Sequence, residues 1–162
     1  MKTCFIKKPT YAYAKYYRNL FKKNNKKYLS YEIVEVRLKK KTATVKIKVT
    51  QPDYYVAFTH AYYDYLNWYE DYYYMNNKTP LDSLAGNRLN RYVKRSIKKY
   101  GLEQKKRTVK FILQKTSRGW KIKKANNRIK DIAAMRNYQA YEEAQFCWEN
   151  NEDIDECIEI FK

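Results

Sequence analysis

The sequence is poor in the residues from which catalytic and metal-binding motifs are built. Its 162 residues include three Gly, three Pro, three Cys and a single His. One His and the lack of a CxxC pair exclude the common tetrahedral zinc sites. No Gly-rich phosphate loop, GxGxxG fingerprint, HExxH helix or GxSxG elbow occurs. We therefore expect no cofactor, no metal site and no catalytic residues, and the sequence predicts a protein that is not an enzyme.

Long apolar runs are also missing. No stretch approaches the ~20 apolar residues of a membrane span, and no apolar signal-peptide core follows the first residues. On the sequence as given the protein is cytoplasmic, and if a signal or anchor was removed it belongs to the cell envelope; both remain open. Cys4, Cys147 and Cys157 are most simply reduced thiols, with a Cys147–Cys157 pair as the alternative.

Acidic residues are scarce except near the end of the chain. The formal net charge is +18. Residues 1–141 hold 34 Lys and Arg against 9 Asp and Glu, whereas residues 142–162 hold one Lys and eight acids. A basic body of this kind suggests a polyanionic partner, or an acidic tail that folds onto a basic face.

Aromatic residues, by contrast, are concentrated in one stretch. Eleven of the 21 residues in 54–74 are aromatic, and none is Lys or Arg. At 100° per residue the apolar residues share one side of a helix, and the polar residues His60, Asp64 and Asp71 share the other. The pattern predicts a long amphipathic helix that follows Asp53 as its N-cap.

Alternating and helical patterns predict the elements around this helix. They place strands at 31–38, 42–50 and 106–114, a fourth strand through Trp120 and Ile122, and helices at 10–23, 80–100 and 126–150, with a last turn or two of helix before residue 162. Pro52 is expected to end the second strand. Thr79 is expected to cap the helix at 80–100, and Gly101 to end it.

These elements predict an α+β fold. We expect an antiparallel sheet of about four strands, in two hairpins, that packs in a roll-like manner on the long aromatic helix. The expected organisation is a single domain with a basic arm at 1–9, a roll-like core at 10–135, and a C-terminal helix with an acidic tail at 136–162. The inner wall of the sheet is expected to consist of Ala43, Val45, Ile47, Val49, Val109, Phe111, Leu113, Trp120 and Ile122.

Two segments carry a resemblance to a known family. The run YEIVEVRLKKKTATVKIKVTQPD before a long helix, and the later run TVKFILQKTSRGWKIKK, resemble the nuclear-transport-factor-2-like (cystatin-like) roll. Over residues 10–135 the chain is similar to uncharacterised envelope lipoprotein domains of low-GC Gram-positive bacteria. The resemblance implies a conical pocket in which enzymes of the family place Asp, His or Tyr. None of the inner-wall positions predicted for this chain can move a proton, which argues against acid–base catalysis there.

Basic residues provide the main candidate binding sites. One set is expected on the outer face of the sheet: Lys46, Lys48, Lys110, Lys121 and Lys123. A second set forms a stripe on the helix at 80–100: Arg88, Arg91, Arg95, Lys98 and Lys99. Either set is suited to neutralising phosphates, although a lysine-rich solvated surface without a specific partner explains the same pattern.

His60, Tyr63, Asp64 and Trp120 are the candidates for a ligand pocket. His60 and Asp64 lie one helical turn apart, where a His–Asp pair can serve as a general base, but an ordinary exposed i,i+4 pair is more common. The leading hypothesis is thus a non-enzymatic module that binds a polyanion, with nucleic acid as the first candidate and acidic envelope polymer or protein next. A subunit of an envelope or secretion assembly, and a small-ligand protein or roll-type enzyme, are the alternatives. A homodimer through the sheet face is a further expectation.

Overall fold

The computed structural model describes residues 12–123 and 127–161, and the predicted arm at 1–9 lies outside them. The elements in chain order are α1 (Ala12–Tyr28), β1 (Ser30–Lys39), β2 (Thr42–Asp53), α2 (Tyr55–Asn76), α3 (Asp82–Tyr100), β3 (Glu103–Thr116), β4 (Gly119–Ile122), α4 (Asn127–Ala133), α5 (Asn137–Glu149) and α6 (Ile154–Phe161). The strands form one antiparallel sheet in the order β1-β2-β3-β4. The predicted α+β class with four antiparallel strands is confirmed.

The sheet is an open meander whose first strand is irregular. β1 pairs with β2 along its length, and a one-residue register shift at Val34 separates Ile33 from Glu35. β2 runs on through Pro52, so the prediction that Pro52 ends this strand was wrong. The pairing with β1 stops at Thr50, so no strand on that side needs the N–H that proline lacks.

The aromatic helix lies in a helical core. Phe58 of α2 is fully buried and contacts Phe21 of α1, and the same cluster includes Val93 of α3 and Ala140 of α5. A separate cluster covers the sheet, where isoleucines of α4 pack on β2 and β3. α4 therefore packs on the inner face of the sheet, where α2 was expected. Periodicity identifies the apolar face of a helix but not the element that it meets.

The predicted helix at 126–150 is broken in the structure. α4 ends at Ala133 and α5 begins at Asn137, because Met135 and Arg136 adopt left-handed φ angles of 54° and 63°. Oδ1 of Asp131 accepts hydrogen bonds from the backbone N–H groups of Tyr138 and Gln139, at 3.1 and 3.4 Å. This carboxylate satisfies orphan donors at the start of α5, and it makes a new helix start possible without a gap in hydrogen bonding.

A buried ion pair links the break to the start of α2. Nη1 of Arg136 lies 3.3 Å from Oδ2 of Asp53, and both side chains are 3% exposed. Oδ1 of Asp53 accepts a hydrogen bond from the backbone N–H of Tyr55 at 2.9 Å. Asp53 therefore supports the first turn of α2 as predicted, although the N-cap position itself is Tyr54. The Arg136 guanidinium also lies 3.7 Å from the centroid of the Tyr55 ring.

Several boundaries were approximately correct. α1 continues five residues beyond its predicted end, because the side chain of Asn24 donates to the carbonyl of Leu20 and does not interrupt the helix. α3 starts at Asp82 after an N-cap at Leu81, so Thr79 is not its cap. Gly101 ends α3 with a φ of 75°, as expected for a glycine in this position.

The end of the chain packs onto the helical core. Cys147 of α5 and Cys157 of α6 form a disulfide, which confirms the alternative to reduced thiols for this pair. Ile158 of α6 belongs to the same buried cluster as Phe58. Within residues 12–123 and 127–161, no helix has the length and apolar character needed to cross a membrane.

Candidate functional site

The outer face of the sheet carries the predicted lysines, but it carries acids as well. Lys46 of β2 lies opposite Lys110 of β3, and Lys48 lies opposite Thr108. On the other side of β2, Glu35 lies opposite Lys46 and Glu32 lies opposite Lys48. Cross-strand neighbours of opposite charge attract each other, so the two glutamates of β1 reduce the positive potential of this face.

The two remaining lysines of this set lie at the far edge of the sheet. Lys121 of β4 lies opposite Gln114, and the backbone N–H of Lys123 donates to the carbonyl of Ile112 just beyond the strand. The structure therefore places all five predicted lysines along the outer face. The two β1 glutamates were missed, because regular alternation would place Glu32 and Glu35 on opposite faces of the strand, and only the register shift at Val34 brings both to the outer face.

The predicted stripe on α3 divides into two groups. Three members contact side chains of α2 or α3. Nη2 of Arg95 lies 2.5 Å from Oδ2 of Asp64, and the Arg88 guanidinium lies 5.0 Å from the centroid of the Trp68 ring. Nζ of Lys99 donates a hydrogen bond to the Tyr100 hydroxyl at 2.8 Å. Arg91 and Lys98 are exposed. They lie within one turn of Lys94, whose Nζ is 5.1 Å from the ring of Tyr16 on α1.

The cations of helix α1 add to those of α3, and the sequence did not predict this contribution of α1. α1 and α3 are in contact. The sequence of α1 contains no acid, and α3 has a single acid at its first residue, Asp82. We define the α1–α3 basic surface by its eight exposed cations: Arg18, Lys22, Lys23, Lys26, Lys27, Arg91, Lys94 and Lys98. The lack of acids in α1 was the available signal, but only the packing of α1 beside α3 unites the two sets.

An open cleft of about 490 Å³ lies between α2, α3 and α6. It is lined by His60, Asp64, Arg95, Ser96, Lys99, Tyr100, Ile154 and Asp155. The imidazole of His60 stacks on the Tyr100 ring with 4.1 Å between centroids. Nε2 of His60 lies 3.1 Å from Oδ1 of Asp155, but the approach is not aligned as a hydrogen bond. The carboxylate beside His60 is therefore that of Asp155, because Asp64 pairs with Arg95.

Burial governs the protonation of His60. The side chain is 9% exposed, and desolvation lowers the pKa of His60 below its usual value. The carboxylate of Asp155 acts in the opposite direction, and the ammonium of Lys99 acts in the same direction as burial. Near neutral pH the imidazole is thus neutral and can accept a proton. The two carboxylates of the cleft balance Arg95 and Lys99, so the cleft is not a site of concentrated positive charge.

The other two candidates for the pocket lie elsewhere. The Tyr63 hydroxyl donates to the carbonyl of Glu152 at 3.0 Å and ties α2 to the segment before α6. Trp120 is 43% exposed on β4, where it lies opposite Lys115. Neither lines the cleft at His60. The four candidates therefore do not share one pocket, because the aromatic helix that carries His60, Tyr63 and Asp64 packs on other helices and not on the sheet that carries Trp120.

Comparisons with known proteins find one weak structural likeness. No protein-family model matches the chain, and no curated protein matches it by sequence. The fold is similar to the crystal structure of a candidate lipoprotein, YcdA, of Bacillus subtilis, with 18% identity and a TM-score of 0.45. The match covers 75% of this chain and 37% of that protein, so the chain spans little more than a third of its length.

Proposed function

We propose that the protein is a non-enzymatic binding module that engages a polyanion through the α1–α3 basic surface, with nucleic acid as the first candidate. The observation that supports this proposal is the contact between two helices that carry the eight exposed cations of this surface and contain one acid between them, Asp82. Neutralising several phosphates releases condensed counterions, so binding should weaken steeply as salt increases. No helix-turn-helix, zinc-finger or RNP signature occurs, so the proposal does not include base-specific readout.

The α1–α3 surface is a better candidate than the outer face of the sheet. On the sheet, Lys46 and Lys48 each have a glutamate of β1 opposite them. On the helical surface, the cations of α1 have no acid in their own helix, and Asp82 lies at the far start of α3, more than two turns before Lys94. Backbone phosphates are attracted by uncompensated charge, which favours the helices.

Two variants with equal loss of charge test the site. In one, Lys22, Lys23, Lys94 and Lys98 are changed to Gln; in the other, Lys46, Lys48, Lys110 and Lys121 are changed to Gln. Fluorescence anisotropy with a labelled oligonucleotide at about 50 and about 200 mM salt measures affinity and its salt dependence. We expect the helical variant to lose at least about tenfold in affinity and to show a smaller salt slope.

The sheet variant is the matched control. It removes the same net charge, so a similar loss in both variants would show that the helices do not form the site. Absence of micromolar binding by the wild type at the lower salt concentration would exclude the nucleic-acid proposal. Binding to an acidic polysaccharide but not to the oligonucleotide would identify the envelope-polymer alternative.

A second candidate function is a subunit of an envelope or secretion assembly. The disulfide between Cys147 and Cys157 favours this candidate, because disulfides persist in oxidising compartments and are rare in the cytosol. Thiol counting on protein taken from its native cells under acid quench tests it. One reactive thiol per chain, from Cys4, supports an oxidising location, and three reactive thiols exclude it.

The nuclear-transport-factor-2-like roll remains a prediction within this proposal. Its support is the β1–β2 hairpin that leads into a long helix, and the apolar inner face that β2 and β3 share. A crystal structure of the full chain tests it. A conical cavity beneath a curved sheet would support the roll, and a flat sheet without such a cavity would exclude it.

A further inference from the structure

Strand β1 presents an unpaired edge that is rich in apolar residues. It is the first strand in the order β1-β2-β3-β4, so one of its two edges has no neighbour among the described strands. Tyr31, Ile33, Val36 and Leu38 are 63, 57, 50 and 71% exposed, respectively. Long apolar edge strands template pairing with another chain, and natural proteins usually protect them. Exposure of this kind marks an interaction surface.

The four apolar residues lie on one face of the sheet because of the bulge. Cross-strand partners share a face, and these residues lie opposite Val49, Ile47, Val45 and Ala43, which belong to the inner face. Without the extra residue at Val34, the alternation would place Ile33 and Val36 on opposite faces. The bulge therefore makes the two halves of β1 equivalent about the centre of the strand.

This symmetry allows the strand to pair with itself. If two copies of β1 run antiparallel about a two-fold axis between Val34 and Glu35, Tyr31 meets Leu38 and Ile33 meets Val36 of the other copy. In the same register Glu32 meets Arg37, so opposite charges lie across the axis on the outer face. By symmetry each of these pairs occurs twice. A register shifted by two residues in one direction would bring Glu32 opposite Glu35, and a shift in the other direction would bring Val36 opposite Glu35 and Tyr31 opposite Lys40.

We propose that the protein forms a homodimer in which the β1 edges of two copies pair antiparallel in this register, giving one continuous eight-stranded sheet. The occupant of the edge is a second copy of the chain, because in this register the apolar residues of β1 meet apolar residues of the other copy and Glu32 meets Arg37. The net charge of the chain is +18, but the charged residues of β1 are two glutamates, one arginine and one lysine, so the edge is neutral. Local neutrality allows association that the whole-molecule charge would oppose.

The monomer already holds part of this charge arrangement. Nε of Arg37 pairs with Glu35 of its own strand, and both side chains are exposed at 77 and 40%. In the dimer Arg37 gains a second carboxylate from Glu32 of the other copy. The α1–α3 basic surface lies on helices and not on the β1 edge, so a dimer would carry two such surfaces.

Charge exchange tests the register. Sedimentation velocity over micromolar to sub-millimolar concentrations measures the dimer dissociation constant for wild type, Glu32→Arg, Arg37→Glu and the double variant. Each single change places like charges opposite each other twice, so we expect affinity to fall about ten- to a hundredfold. The double variant restores opposite charges and should return to within about threefold of wild type. A double variant as weak as the singles would overturn the register.

Cross-linking provides a second, independent measurement. In a Cys4→Ser background, Glu32→Cys with Arg37→Cys places cysteines opposite each other across the axis, within disulfide distance. Glu32→Cys with Lys39→Cys is the control on the same face, offset by two residues and beyond that distance. We expect oxidation to give a covalent dimer for the first pair only. A wild-type protein that stays monomeric at all concentrations, or equal cross-linking of both pairs, would refute the proposal.

Discussion

At the scale of single residues, the burial of charged and polar groups is the main feature that the sequence conceals. His60 was placed on the polar side of the aromatic helix, yet it is buried between Tyr100 and Asp155. Its expected partner, Asp64, is instead held by Arg95. Spacing along one helix cannot reveal this, because both new partners come from other elements.

Because His60 is the single His of the chain, we expect its burial to make the stability of the fold fall as pH is lowered. Burial lowers the pKa of His60 in the folded protein, so the unfolded chain binds more protons near pH 6.5. The contribution of His60 to stability is present above that pH and is lost as pH falls towards the folded pKa. Urea unfolding between about pH 5.5 and about 8 should show stability falling on acidification.

A variant without the imidazole isolates this effect. His60→Phe keeps a ring that can stack on Tyr100, and the groups that face this position are Asp64, Lys99, Asp153 and Asp155. Histidine is the side chain whose unperturbed pKa lies between about pH 5 and about 8. The variant should therefore show a flatter stability profile in that window. An unchanged profile would assign the pH dependence to another group.

At the scale of elements, tertiary contacts decide where the last predicted helix breaks. No Gly or Pro marks the break between α4 and α5. The backbone turns at Met135 and Arg136 because Asp131 caps α5 and Asp53 receives the Arg136 guanidinium. Burial also raises the pKa of the Asp131 carboxyl, although the backbone donors of Tyr138 and Gln139 oppose that shift.

Loss of Arg136 should therefore be costly. Arg136→Met removes the partner of a carboxylate that is 3% exposed, and leaving a buried charge unpaired costs about 3–5 kcal/mol. Arg95→Met is the matched control, because its pair with Asp64 is exposed at 64 and 39% and contributes at most about 1 kcal/mol. Urea unfolding of both variants measures the difference. Equal losses would mean that Asp53 finds another partner.

The strands and the long helix were predictable because their signals are local. Alternation in β2 and β3 and the apolar periodicity of α2 depend on residues within each segment. The two hairpins, the end of α3 at Gly101 and the last short helix were predictable for the same reason. The element on which α2 packs was not predictable, because bulky apolar rings pack equally well on helices or on a sheet. The helical core around Phe58 and the α4 layer on the sheet appear only when the chain is folded.

At the scale of the whole molecule, charge is distributed by packing as well as by sequence. α1 and α3, which contain one acid between them, are in contact, whereas β1 brings two glutamates beside the lysines of the sheet. The acidic end of the chain folds back, with Asp155 at the cleft of His60. This arrangement separates a strongly basic surface from mixed surfaces, which a net charge of +18 does not describe.

The sequence by itself determined the α+β class, the four strands, the aromatic helix and the basic character of the chain. These properties depend on composition and on periods of two and 3.6 residues, which each segment carries alone. Only the tertiary structure decided that α2 packs on helices, that the last helix breaks at Met135 and Arg136, and that α1 contacts α3. These features depend on pairs of residues far apart in the chain, such as Asp53 and Arg136, whose contact no local pattern records.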